Sequence, residues 1–387
     1  MKEFVFWQPL LSIHQSALLR NLAASSGAKV TLVVEEEVET CRREMGWHNP
    51  DFGEIRIVDR PTTKVQSELL SGDLSNSIHV FSGTRGGGPM VWNAFCQSLS
   101  SNACIGIYSE AYNGMGLKGL LRLLGCKYDA LRFRARVNFI LGIGNIGVEW
   151  FRKSGYMYNR IFPFGYFVET PSLQNTCSNQ VAVPTKSFDL IFVGQIIFRK
   201  GWDVLLYALH DLKGLKWRLH VVGDGVDRDK FVKLCARLGL TDSVHLYGAL
   251  PNSEAMNLIC KSDLLVLPSR WDGWGAVVNE ALMCGVPAVC SDKCGAADLL
   301  DGHERGEVFS SNSILALRSI LSRRISQGKK DAVRSVRIRE WSKCINGESA
   351  ADYLIAVINA SITGGSRPIP PWFKQSEAWQ DPAFRKA

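Results

Sequence analysis

The chain has 387 residues, 46 % of them hydrophobic and 21 % charged, with a net charge of +8. That length suits two domains of ordinary size with substantial cores, and no low-complexity tract points to extended disorder. The positive balance fits a phosphorylated ligand, a membrane surface or nucleic acid, but no helix-turn-helix signature, zinc-finger spacing or basic segment interleaved with aromatics supports the last.

Met1-Lys2-Glu3 runs directly into the apolar Phe4-Val5-Phe6 with no small-residue cleavage site, so no signal peptide is expected. The longest nearly apolar windows, such as residues 137–148, are too short to cross a bilayer. Eleven cysteines at irregular spacing, without a CxxC pair, read as reduced thiols of a cytosolic protein. The seven histidines form no cluster with metal-ligand spacing, so no metal is expected.

In chain order, "FVFWQP" (4–9) predicts a strand, "IHQSALLRNLAAS" (13–25) a helix, and "KVTLVVEE" (29–36), "SIHVFSG" (77–83) and "ACIGIYSE" (103–110) three further strands. This half, residues 1–169, reads as a Rossmann-like domain. Its candidate polar residues fall after strands: His14, Arg85 within "GTRGGG", and Glu110. Glu110 is the first choice for an acid close to a reacting group and His14 the second, while Arg85 is a candidate to hold a phosphate. Each has a plainer reading, as a turn cap, a helix-starting residue and an exposed cation.

The segment "LKGLLRLLGCKYDALRFRARVNF" (117–139) sets Leu117, Leu120, Leu121 and Leu124 at helical spacing, with Lys118 and Arg122 on the other side. Lys118, Arg122, Lys127, Arg132, Arg134 and Arg136 oppose a single Asp129. Such a helix fits docking onto anionic lipid, and equally a core-facing helix whose basic side is wet.

Residues 170–187 are polar and lack periodicity, and read as a linker. From 188 to 363 the alternation is regular. "DLIFVG" (189–194) is a strand, "GWDVLLYALHDLK" (201–213) a helix, "WRLHVVGDG" (217–225) a strand and "RDKFVKLCARLG" (228–239) a helix closed by Gly239. "SVHLYG" (243–248) and "NSEAMNLICK" (252–261) add a strand and a helix. "LLVLPSRWDGWGAVVNEALMCGVPAVCSD" (264–292) then adds strand, loop, helix and strand. This pattern predicts a second Rossmann-like domain with a parallel sheet covered on both faces. Ligands of such sheets bind beyond the carboxyl ends of the strands. The tail, 364–387, is proline-rich and either frays or crosses back over the first domain, and its Trp372, Phe373 and Trp379 favour packing over disorder.

The 264–292 stretch places Asp272 in a loop and Glu280 in the helix after it. With that helix starting near Gly275, the amides of Gly275, Ala276 and Val277 would seat a phosphate, and Glu280 would accept hydrogen bonds from vicinal hydroxyls such as those of a ribose. Asp272 would face the group beyond the phosphates. Arg199 and Lys200, at another strand-to-helix turn, would neutralise a leaving diphosphate. Gly223, Gly225 and the backbone at Tyr247-Gly248 would border a base.

Residues 194–203, the "VVGDG" turn and the carboxylate-x7-carboxylate stretch followed by "EALMCGVPAVCSDKCGAADLL" resemble the C-terminal domain of retaining, family-four glycosyltransferases of GT-B architecture. The resemblance is specific over residues 188–300 and topological before them. It implies an α/β fold of two Rossmann-like domains with parallel sheets facing a central cleft. The C-terminal domain would hold a UDP- or GDP-sugar, and the N-terminal domain an acceptor such as a lipid-linked or lipopolysaccharide-type glycan. By matching position Glu280 would bind the ribose, Asp272 the donor sugar and Lys200 the diphosphate, with no further cofactor. Asp272 stands where the family has glutamate and Gln195 where it has arginine, a loss for which Arg199 is expected to compensate. The expected setting is cytoplasmic, on the inner face of the membrane. A GT-B-shaped epimerase or phosphorylase and a non-catalytic glycan or nucleotide-sugar binder are the alternatives.

Overall fold

The computed structural model describes residues 2–36, 50–170, 187–300 and 303–373. Two compact units divide the chain. Among the described residues the first takes 2–36, 50–169 and 344–373, and the second takes nearly all the rest, to Lys343.

The first unit begins with β1 (Glu3–Leu10), α1 (Ile13–Ser26), β2 (Lys29–Glu36), β3 (Arg56–Asp59) and α2 (Thr63–Leu69). There follow β4 (Ser77–Phe81), α3 (Gly88–Ser98), β5 (Cys104–Ser109), α4 (Gly116–Phe133), β6 (Phe139–Ile143), α5 (Gly144–Lys153) and β7 (Ile161–Phe164). Its seven strands are parallel in the order β3-β2-β1-β4-β5-β6-β7, so the order reverses between β1 and β4. Inner strands such as β4 and β6 are buried along their whole length, as strands covered on both faces must be. Trp7, Phe81, Phe95, Ile107 and Phe133 form one part of the core. Gly106 is required in β5, because a Cβ there would stand 2.2 Å from the ring of Phe139.

The second unit runs β8 (Phe188–Val193), α6 (Trp202–His210), β9 (Trp217–Val222), α7 (Arg228–Leu238), β10 (Val244–Gly248), α8 (Asn252–Lys261) and β11 (Leu264–Leu267). It continues through α9 (Val277–Met283), β12 (Ala288–Ser291), β13 (Gly306–Phe309), α10 (Ile314–Gln327) and α11 (Ala332–Ser342). The six strands are parallel in the order β10-β9-β8-β11-β12-β13, with the reversal between β8 and β11.

The last helix, α12 (Gly347–Thr363), does not belong with the domain expected to end at residue 363. It packs along α1 in the first unit, where Gly347 lies so close that a Cβ would be 2.5 Å from the Ala17 carbonyl oxygen. The tail continues on the same unit. Arg367 bonds the backbone of Tyr158 and Ile161, and Trp372 rests against Phe167 and Tyr353. The expected linker lies outside the described residues apart from its two ends, and Trp379 lies outside them altogether.

Because Trp372 is only 1 % exposed, Trp372→Ala should cost the first unit about 3–5 kcal/mol. Thermal unfolding would report this as a lowered transition for that unit, with the second unit's transition unmoved.

Candidate functional site

In the second unit the strand order reverses between β8 and β11, so the loops after these strands diverge and leave a crevice at the carboxyl edge. The loop after β8 ends in one helical turn, Phe198–Lys200, closed by Gly201 at φ +68°. Only glycine fits there, since a Cβ would stand 2.0 Å from the Pro268 carbonyl oxygen. Arg270, from the loop after β11, latches the two loops together. Its amide donates to the Arg199 carbonyl at 2.8 Å, and its fork holds Asp203 at 2.7 and 2.8 Å while lying 3.8 Å over the Phe198 ring.

This latch sets Lys200 against Asp272. Lys200 Nζ donates to Asp272 Oδ2 at 2.6 Å, with side chains only 14 % and 11 % exposed. Ser269 Oγ donates to the same oxygen at 3.2 Å. Arg199 bonds the Trp271 carbonyl at 2.9 Å and lies 4.0 Å from Asp272 Oδ1. An ammonium has three donors, so Lys200 retains capacity for a second anion. It extends over Gly194, and Gly223 packs so tightly behind that a Cβ would be 2.1 Å from the Gly194 oxygen. Gly223 also donates to the Gly248 carbonyl at 2.7 Å, and Gly225 abuts the Ile196 carbonyl, so the crevice wall is bare backbone.

The loop after β12 supports Asp272 from below. The Asp272 amide bonds the Lys293 carbonyl at 2.9 Å, its own carbonyl accepts from Gly295 at 3.2 Å, and Ser291 Oγ bonds the Ser269 carbonyl. Trp274, buried, donates to Asn279 Oδ1 at 2.8 Å and so ties the loop to α9. The helix expected from Gly275 starts at Val277, because Gly275 adopts φ +91°, outside the helical region, and Ala276 is the cap. Gly275 and Ala276 therefore form the approach to α9 rather than its first turn.

Glu280 lies in that first turn, half-buried. Its carboxylate makes no hydrogen bond or ion pair with any described residue, and burial alone raises its pKa from the ordinary 4.5 to about 7. Thus Asp272 is spent on a cation, while Glu280 meets none among the described residues.

In the first unit His14, Arg85 and Glu110 all follow strand ends on the carboxyl edge of the sheet, after β1, β4 and β5 respectively. His14 stacks on Tyr166 at 5.8 Å. Glu110 is half-buried beside Tyr108. Arg85, the candidate phosphate cation, is engaged by a carboxylate of its own unit. Its fork grips the fully buried Asp129 at 2.8 Å through two nitrogens, above the Trp92 ring. Ser269 and Arg270, which order the second-unit site, were not anticipated. The "PSRWD" run contains them, but their roles depend on a loop distant in sequence.

The two doubly wound, parallel units have the GT-B fold. Two solved structures share it across nearly the whole chain, each below the identity at which more than the fold carries over. A lipopolysaccharide outer core galactosyltransferase in its apo form has a TM-score of 0.69 at 17 % identity, covering 94 % of this chain and 99 % of that one. Anabaena HepE in complex with UDP has a TM-score of 0.70 at 13 % identity, covering 93 % and 100 %.

Residues 174–341, nearly coextensive with the second unit, match the sequence family of glycosyl transferases group 1. The lipopolysaccharide 1,6-galactosyltransferase of Escherichia coli is 30 % identical over 141 residues, 35 % of this chain and 39 % of that one. The chain spans less than half the length of the curated relatives it matches.

The raised Glu280 value has a consequence for stability. Between pH 4.5 and about 7 the folded protein keeps a proton that the unfolded chain releases, so stability falls as pH rises through that window. Glu280→Gln should therefore be the more stable protein above neutral pH, by roughly 1–3 kcal/mol after solvent screening. Denaturant titrations across pH should find that difference fading as pH falls through the same window.

Proposed function

We propose that the chain is a glycosyltransferase that moves one sugar from a UDP- or GDP-sugar to a hydroxyl of a lipid-linked or lipopolysaccharide-type glycan. It would retain the anomeric configuration and work as a peripheral protein on the cytoplasmic face of a membrane. The observation that carries this reading is the pairing of Lys200 with Asp272 at 2.6 Å beside a glycine-walled crevice, with an unpaired Glu280 on the following helix. Relatives named as glycosyltransferases, one acting on lipopolysaccharide, and a fold neighbour solved with UDP support it.

In this reading the diphosphate takes a share of Lys200 from Asp272. Released in part, Asp272 accepts a hydroxyl of the donor sugar through Oδ1, and ionised Glu280 accepts the two ribose hydroxyls. As the bond to the sugar breaks, charge grows on the leaving diphosphate, where Lys200, Arg199 and the amides about Gly275, Ala276 and Val277 meet it. The acceptor oxygen then attacks from the same face and yields its proton to the departing phosphate oxygen. His14 and Glu110 are assigned to the sugar and acceptor side. Arg85, committed to Asp129, is assigned a structural role.

Ionised Glu280 is the form that accepts hydroxyl protons, so UDP should bind more tightly as pH rises through about 7. Calorimetric titration of Glu280→Gln should lose this pH dependence. Lys200→Ala should weaken UDP by roughly 10- to 150-fold, the loss of one charge-assisted hydrogen bond. It should also cut transfer to an acceptor mixture by at least about 100-fold. A protein that isomerises donor sugar without acceptor, or binds no nucleotide in a thermal-shift panel, would refute the reading.

In this reading the diphosphate is met by two cations, Lys200 and Arg199, so transfer should persist in EDTA. Activity abolished by EDTA and restored by manganese would overturn this assignment.

A further inference from the structure

In α4 (Gly116–Phe133) the apolar residues lie on the wrong side for a core. Leu117, Leu120, Leu121, Leu124, Tyr128 and Leu131 follow the spacing of a single helical stripe and are each between 52 % and 75 % exposed. The opposite face does the packing. Gly119, Asp129, Ala130 and Phe133 are buried, and Gly119 lies so close to the Gly114 backbone that a Cβ would be 2.0 Å from its carbonyl carbon. The helix thus has two apolar faces, of which the fold uses one. Six large side chains in one exposed stripe are more than isolated surface residues account for.

The charges select the occupant. Lys118, Arg122, Lys127 and Arg132 are all exposed, and Lys127 on one side and Arg132 and Lys118 on the other flank the stripe. The helix's one carboxylate, Asp129, is fully buried and neutralised by Arg85, so no anion stands on the outer face. An apolar stripe with Lys127 on one side and Arg132 and Lys118 on the other matches a bilayer surface whose headgroups are anionic, with leucines entering the acyl boundary and lysines and arginines at the phosphates.

We infer that the outer face of α4 is the element by which this chain docks on an anionic membrane, and that the docking is peripheral. Among the described residues no helix is long and apolar enough to cross a bilayer. This deepens the proposed function by locating its membrane contact on the first unit. It is tested without any turnover, so that either reading can fail alone.

The experiment is co-sedimentation of the full chain with phosphatidylcholine vesicles, with and without phosphatidylglycerol. The parent protein should pellet with the anionic vesicles and much less with phosphatidylcholine alone, and raised salt should release it. Leu121→Gln with Leu124→Gln should weaken binding by at least about tenfold, and Lys118→Ala with Lys127→Ala by roughly fivefold per lysine. Leu315→Gln, an equally exposed leucine in the second unit, should change nothing. Because these side chains are exposed, the thermal unfolding of every variant should match the parent. A parent that stays in the supernatant, or a leucine variant that pellets as the parent does, would overturn the inference. So would light scattering that finds a dimer dissociated by the leucine variant, which would assign the face to a second copy of the chain.

Discussion

The ion pair between Lys200 and Asp272 is the contact around which the second unit's crevice is arranged. Strands β8 and β11 are neighbours in the sheet, but the loops leaving them turn opposite ways, and nothing in a sheet ladder holds such loops together. A 2.6 Å contact between two largely buried charges does so, and it brings an obligation. Either charge left alone in that setting would be strongly destabilising, so each needs the other or a substitute. The backbone is built to keep them apposed, through the Arg270 latch, the glycine at 201 and the bonds from the β12 loop to both ends of Asp272. In the proposed function a diphosphate would substitute for Asp272 as the partner of Lys200, and a sugar hydroxyl would then occupy the oxygen that Asp272 has to spare.

The two carboxylates that stand eight residues apart are consequently unlike. Asp272 is short, reaches Lys200 and accepts from Ser269. Glu280 is anchored on a helix whose neighbours Val278, Asn279 and Ala281 are buried, and among the described residues it has no cation beside it. Desolvation without compensation moves its proton affinity into the physiological range. A group held in that condition costs stability when ionised, and hydrogen bonds from a diol are the kind of contact that would return it.

The first unit uses its charges differently. Arg85 pairs with the buried Asp129, which withdraws the only acid of α4 from the surface and leaves its exposed charges all basic. One salt bridge, buried at its carboxylate and open at its guanidinium, therefore joins the carboxyl edge of the sheet to the helix packed near it.

The sequence alone determined the strands whose apolar runs are bounded by turns. "KVTLVVEE" is β2 residue for residue, and "NSEAMNLICK" is α8, because a period of two or of 3.6 is a local property. Covalent order also made the carboxyl-edge positions of Lys200, Asp272 and Glu280 legible, since a strand-loop-helix alternation puts every such loop on one edge. Strands β3, β6, β7 and β13 were missed because four or five residues, some exposed as in β3, carry too little pattern to distinguish a strand from a loop. The tertiary structure alone decided three matters: that α12 packs against α1, that the leucines of α4 face outward, and that Asp272 holds Lys200 across 72 residues of chain. Periodicity records that a face is apolar, and spacing records that charges exist. What each face meets and which charge is neutralised depends on neighbours that only the folded chain supplies.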